Sequence, residues 1–342
     1  MSNVVVNVAG LAKTFQVKQK AAGLGGSVRS LWRQEVREVT AVSDIAFSLE
    51  KGEMLAFIGP NGAGKSTTIK MLTGILYPSA GQASVLGYTP WKDRRKLGYH
   101  IGSVFGQKPQ LWYHLPAEDT FRLFARIYEL DMGEFQQRRD FLVESFQIGD
   151  LLQTPVRKLS LGQRMKCEIA ASLLHRPRII FLDEPTSGVD PITRNSFWET
   201  IKTMAAGGVT VFVTTHYMDE AENCDRMALI YRGTIIAMGS PMEMKTRCMT
   251  DEVMELQVPD AESWADAIRS VPGVRETALF GSGIHAVVEK ADIVGPRIRA
   301  ALDAAGVGGY ALDRIVPSLE DVFVSLIETY DAREGEDRRT AV

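Results

Sequence analysis

GPNGAGKST, residues 59–67, matches the pattern G-x-x-x-x-G-K-[ST], and its flanks decide how the stretch folds. The apolar run LAFI (55–58) before it reads as a buried strand. TIKMLTGIL follows, and its spacing predicts a helix over 66–76. A glycine-rich turn between strand and helix points backbone amides at an anion, and the helix N-terminus adds its partial positive charge. Gly59, Gly62 and Gly64 permit the close wrap. Lys65 offers a point charge to the β- and γ-phosphates, and the Ser66 hydroxyl suits Mg²⁺. The candidate nucleotide-binding loop is therefore Gly59, Pro60, Asn61, Gly62, Ala63, Gly64, Lys65, Ser66 and Thr67.

Two later runs extend the site. IIFL (179–182), followed by Asp183 and Glu184, and VTVFVT (209–214) are short continuous apolar runs of the kind expected of buried parallel strands. In open α/β sheets, ligands bind beyond the carboxyl ends of strands, which is where Asp183 and Glu184 fall. Asp183 suits a Mg²⁺ shell, directly or through water, and Glu184 suits a base that orients and deprotonates an attacking water. His216, just past the second run, fits a γ-phosphate contact or a purely structural role. LSLGQ (159–163) offers no nucleophile or metal ligand. Ser160 nevertheless suits an N-cap, and the Gly162 amide at a helix start makes an anion pocket without a charged side chain.

The chain has 342 residues, enough for two domains. It is 45% hydrophobic and 24% charged, which supports a packed core and argues against wholesale disorder. A net charge of −3 argues against a nucleic-acid binder held by bulk charge. Cys167, Cys224 and Cys248 lie far apart without metal spacing, as expected of a reducing compartment. The opening MSNVVVNVAG has no secretory-signal pattern, and no apolar run reaches the ~18–20 residues that span a bilayer, so a soluble protein is expected.

Residues 3–9 and 53–58 read as strands, and 118–130 and 134–147 as helices from the recurrence of Phe121, Phe124, Ile127 and Tyr128, then Phe135, Leu142 and Phe146. Together these predict an α/β fold with a mostly parallel sheet. From about 250 to 330 the pattern is strand, helix, strand, strand, helix, strand. This is a ferredoxin-like α+β order, closed by the helix LEDVFVSLIETY and a charged tail over 331–342. Residues 18–39 begin as a Gly-rich linker and then turn amphipathic, with Val28, Leu31, Trp32 and Val36 on one helical face and Arg29, Arg33 and Arg37 striped beside it. The segment suits a surface helix docked on the domain, or a lever against a membrane partner or lipid headgroups.

An aromatic (Phe15 in KTF), the phosphate loop, Gln107 in VFGQ, LSLGQ, LDEPTSGVD and TTH occur in that order. The order resembles the ATP-binding cassette (ABC) transporter ATPases over roughly residues 4–245. It implies a P-loop cassette, residues 1–245, with a mixed sheet core and a helical subdomain at about 105–170. By the same resemblance Phe15 stacks on adenine, and Gln107 touches Mg²⁺ and the attacking water. Asp190 lies at a dimer interface, and His216 is the switch histidine. LSLGQ stands where the family has LSGGQ, with Leu161 replacing the first glycine and Ser160, Gly162 and Gln163 retained. In the family, two cassettes dimerise head to tail, each signature completing the other chain's ATP site. ATP and Mg²⁺ are the implied cofactors. Transmembrane permease subunits and a second cassette, in a homodimer or heterodimer, are the implied partners, with KPQLWYHL (108–115) as coupling surface. No nucleic acid is expected.

The implied place is the cytoplasmic face of the inner membrane, and the implied activity is ATP hydrolysis coupled to transport. The single cassette and small C-terminal domain resemble ABC-2 type exporters. LGYTPW, VFGQKPQLW and PSLEDVF resemble a branch linked to viologen or drug efflux. The alternatives are a soluble cassette ATPase acting on ribosomes or nucleic acid, and an importer motor.

Overall fold

The computed structural model describes residues 3–19, 35–106, 108–249 and 251–340. They form two compact units that meet in sequence at Ile236 and Ala237. From its start the chain runs β1 (Val4–Gln19), β2 (Glu35–Glu50), β3 (Met54–Ile58), α1 (Lys65–Leu72), β4 (Ala80–Val85), α2 (Arg94–Gly98) and β5 (Ile101–Phe105). Then come α3 (Ala117–Ile127), α4 (Met132–Phe146), α5 (Leu161–Leu173), β6 (Ile179–Asp183), α6 (Pro191–Ala206), β7 (Thr210–Thr215), α7 (Met218–Ala221), β8 (Arg226–Tyr231) and β9 (Thr234–Gly239).

Six strands make the central sheet in the order β5-β6-β7-β3-β8-β9, parallel from β5 through β8. This is the parallel sheet expected from the apolar runs. β3 and β7 are buried at every position, and Phe57, Phe181 and Phe212 pack ring to ring through the centre, 5.3–5.8 Å apart. Burying each such ring contributes about 1.5–3 kcal/mol. The order β6-β7-β3 sets three strand ends side by side: β3 runs into residues 59–67, β6 into Asp183–Glu184, and β7 into Thr215–His216. No helix among the described residues is long and apolar enough to cross a membrane.

Three expectations need correction. The helix over 66–76 ends at Leu72, because Gly74 turns left-handed (φ 72°) and a Cβ there would lie 2.3 Å from the Pro90 carbonyl oxygen. The amphipathic helix within 18–39 fails at its edges. Lys18 and Gln19 belong to β1 and 35–39 to β2, with Val36 paired to Lys18 and Arg37 to Val17. Val28, Arg29, Leu31, Trp32 and Arg33 lie outside the described residues. Finally, a second, antiparallel sheet of β2-β1-β4 stands where only residues 3–9 read as a strand.

After β9 come α8 (Pro241–Arg247), β10 (Glu252–Gln257), α9 (Ala261–Arg269), β11 (Val274–Phe280), β12 (Gly283–Val288), α10 (Ala291–Ala304), β13 (Ala311–Ile315) and α11 (Leu319–Thr340). The strand order β11-β12-β10-β13, antiparallel throughout, is ferredoxin-like. One face packs Met254, Leu256, Ile284, Val294 and Ile298 into a core of its own. Helix α11 takes in all but the last two residues of the 331–342 segment read from sequence as a charged tail.

Candidate functional site

The loop after β3 is shaped by glycines where no other residue fits. Gly64 caps α1 at φ 111°, and a Cβ on it would sit 2.5 Å from the Ala41 carbonyl oxygen. Gly62, at φ 83°, faces open space, so the loop's outer side is free for a ligand. Lys65 is buried to 4% exposure. Its Nζ donates to the carbonyl oxygens of Gly59 (2.6 Å) and Pro60 (3.1 Å) and lies 3.4 Å from Glu184 Oε1. Asp183 Oδ1 accepts from the hydroxyls of Ser66 (2.9 Å) and Thr214 (2.7 Å). An aliphatic hydroxyl beside a carboxylate is a hard-oxygen pair that suits Mg²⁺, so these residues fit the ion.

Glu184 adopts a left-handed backbone, φ 49°, and its amide donates to the Thr214 carbonyl at 3.0 Å. Its carboxylate lies between Lys65 and the His216 ring, whose Nδ1 is 3.6 Å from Oε2. Lys65, Ser66, Asp183, Glu184 and His216 all line one cavity of about 530 Å³, with Asn61, Gly62, Gly64 and Thr67. A chamber of that size lined by three lysines (Lys65, Lys70 and Lys108), two carboxylates and the amides of the glycine loop suits a polyphosphate and its metal.

Several residues behind the cavity escape sequence reading. The Tyr217 ring packs at a tilt against His216, 4.1 Å between ring centres, and the Arg194 guanidinium lies 4.1 Å over Tyr217. Arg194 ion-pairs with buried Glu220 at 3.4 Å, which also accepts from Thr215 Oγ1 at 2.5 Å and from Thr186 Oγ1. One carboxylate thus ties the loop after Glu184 to the end of β7 and to α6, and holds the platform behind His216. The available signal was a pair of threonines before His216 and an acid shortly after it; the partner Arg194, on another helix, gave none.

Phe15, Ser160, Gly162, Gln163 and Asp190 do not line that cavity. Phe15 is half-buried on β1, with Lys13 Nζ 5.2 Å over its ring. Gln107 lies outside the described residues. Ser160 is the N-cap of α5: its Oγ accepts from the Gln163 amide (3.2 Å), and Gln163 Oε1 accepts from the Ser160 amide (2.9 Å). This capping box was legible as S-x-x-Q. Asp190 is the N-cap of α6, accepting from the Thr193 amide at 3.0 Å without a reciprocal bond, and that bond holds its carboxyl below the usual range. Leu161 Cδ2 would come within 3.1 Å of a Cβ on Gly188. A Cβ on Gly162 would meet Thr193 Cγ2 at 2.6 Å. Gly162→Ala is therefore expected to push α5 off α6 and cost about 1–3 kcal/mol by overpacking. A urea melt showing no loss of stability would contradict that contact.

Residues 42–187 match the ABC transporter family. The chain is 43% identical to the probable multidrug ABC transporter ATP-binding protein YbhF of Escherichia coli over 215 residues, 63% of this chain but only 37% of YbhF. The linearmycin resistance ATP-binding protein LnrL of Bacillus subtilis is 34% identical over 296 residues, 84% of this chain and 93% of LnrL. The daunorubicin/doxorubicin resistance ATP-binding protein DrrA of Streptomyces peucetius is 35% identical over 246 residues, 72% of each chain. Among solved structures, cbiO1 of Clostridium perfringens, part of the ABC transporter complex cbiONQ, superposes with a TM-score of 0.59 at 27% identity, over 72% of this chain and 92% of that one. Given a glycine-shaped phosphate loop facing Asp183, Glu184 and His216 across three adjacent strand ends, and a relative matched along nearly its whole length, the chain belongs to the ATP-binding proteins of ABC transporters.

Proposed function

We propose that the chain is the ATP-hydrolysing motor of an ABC-2 type exporter. It works as a head-to-tail homodimer beneath transmembrane permease subunits, on the cytoplasmic face of the membrane. The observation that carries this reading is the convergence of Lys65, the Ser66–Asp183 pair, Glu184 and His216 on one cavity. The direction of transport is supported by relatives named for drug resistance and for Nod factor export.

In this reading the loop amides and Lys65 hold the β- and γ-phosphates. Ser66, Asp183 and Gln107 hold Mg²⁺, which when bound neutralises phosphate charge. Glu184 receives the proton of the attacking water, and His216, braced by Tyr217, contacts the γ-phosphate. Phe15 supports the adenine ring. Ser160, Gly162 and Gln163 serve the nucleotide of the second chain, and Asp190 sits at the interface between the two. The deciding measurements are Mg²⁺-dependent phosphate release by the purified chain and recovery of a multi-span membrane protein with it from detergent-solubilised membranes. Co-sedimentation with ribosomes instead would sink the exporter reading.

The C-terminal unit, with its own core, is assigned an accessory role in steadying the dimer. Deleting residues 250–342 is expected to leave ATP binding intact and to weaken dimerisation about ten-fold, close to 1.4 kcal/mol. Unchanged dimerisation by sedimentation, with altered turnover, would make the unit a regulator instead.

A further inference from the structure

The segment Gln110–Leu115 presents the aromatic rings of Trp112 and Tyr113, each about half exposed, while Leu111 anchors it inward at 3% exposure. Its backbone is held chiefly by the stretch of chain that carries the signature. Just before the signature, the amides of Arg157 and Val156 donate to the carbonyl oxygens of Tyr113 (2.9 Å) and Leu115 (3.0 Å). Just after it, on α5, Glu168 Oε2 accepts from the Gln110 amide at 3.1 Å. The segment is thereby gripped from both sides of Ser160–Gln163. Its tie to the central sheet is the Gln110 side chain, which donates to the Ser103 carbonyl on β5.

Glu168 is unusual company for such a helix. It is 2% exposed, two turns along α5 from Ser160, with Arg164 at 4.0 Å as its ion-pair partner. Burial pushes its carboxyl up to about 7, against the pull of the Gln110 amide and Arg164. A buried acid is costly to keep, and an apolar residue would pack there without that cost. What the acid supplies is an acceptor for the one amide that joins α5 to the start of the exposed aromatic segment. The neighbouring Trp112 amide already has its own acceptor, Thr120 Oγ1 at 3.2 Å.

We propose that Glu168 is a positioning residue that pins Gln110–Leu115 to the signature helix, so that docking of Ser160 on a second copy's nucleotide is carried to the exposed Trp112–Tyr113 surface. The proposal rests on the head-to-tail dimer reading above. The link has a defined chemistry: a side chain of the same length with an acceptor oxygen at 168 keeps it, and one without an acceptor breaks it.

The test uses the full chain carrying Glu184→Gln, with hydrogen exchange followed by mass spectrometry across 108–115, and light scattering to report dimerisation. With Mg-ATP, the parent is expected to dimerise and to change its exchange across 108–115. Adding Glu168→Gln keeps that ATP-linked change. Adding Glu168→Ala, or Glu168→Met should the alanine variant fold poorly, leaves dimerisation in place and abolishes the change. Loss of the bond alone speeds Gln110 exchange about ten-fold with or without ATP, so the ATP-linked difference is the readout that a merely structural role would not move. A dimeric alanine or methionine variant that retains the full ATP-linked change overturns the proposal. A parent that dimerises without any change across 108–115 overturns it as well. A parent that stays monomeric in Mg-ATP overturns the dimer reading and the proposal together.

Discussion

Glu184→Gln is expected to bind ATP as tightly as the parent chain and to release phosphate at least ~10²-fold more slowly, the usual range for removing a general base. The substitution keeps the shape of the side chain and its place between Lys65 and His216, so the cavity that receives the nucleotide is unchanged. What it loses is the ability to take a proton. Because turnover is what reopens the closed state, the variant should accumulate as an ATP-bound dimer, visible by light scattering in the presence of Mg-ATP. Turnover within about three-fold of the parent would remove Glu184 from this role and leave orientation by neighbouring groups as the main contribution.

Ser160→Arg should abolish hydrolysis while leaving nucleotide binding to the monomer unaltered. The serine is exposed and lies outside the phosphate-loop cavity, so its loss does not disturb Lys65 or Ser66. The N-cap is worth about 1 kcal/mol, which the folded chain tolerates. In the dimer proposed above, the arginine would place bulk and charge where the second chain's nucleotide docks. A mixing experiment sharpens this. Lys65→Ala chains are expected to be inactive for want of a phosphate anchor, and Ser160→Arg chains for want of a signature. A mixed dimer of the two still contains one intact composite site. Activity on mixing, from two preparations that are each inactive, would come only from a site shared between chains. No recovery under dimerising conditions would argue that each chain hydrolyses ATP alone.

The candidate site was legible where chemistry dictates residue type over a short contiguous span. Residues 59–67, 183–184 and 160–163 could be read because a phosphate cradle, a metal and a helix N-terminus each restrict what can stand at fixed spacing. The sheet order that unites them was legible only as a class. β1 and β2 were not legible as a long ladder, because their register shifts at several bulges. Buried Val6, Val8 and Leu11 then step by two and by three residues, which blurs the alternation of a strand. The Glu220–Arg194–Tyr217 brace was hidden because α6 and the end of β7 meet only after folding.

The reciprocal bonds between Ser160 and Gln163 also bear on how fast two chains can join. Both side chains are already locked in the cap, so closure over ATP has no loop to order at this point and no rotamer freedom to surrender. At this point of contact the encounter should therefore be limited by diffusion and orientation rather than by a local folding step.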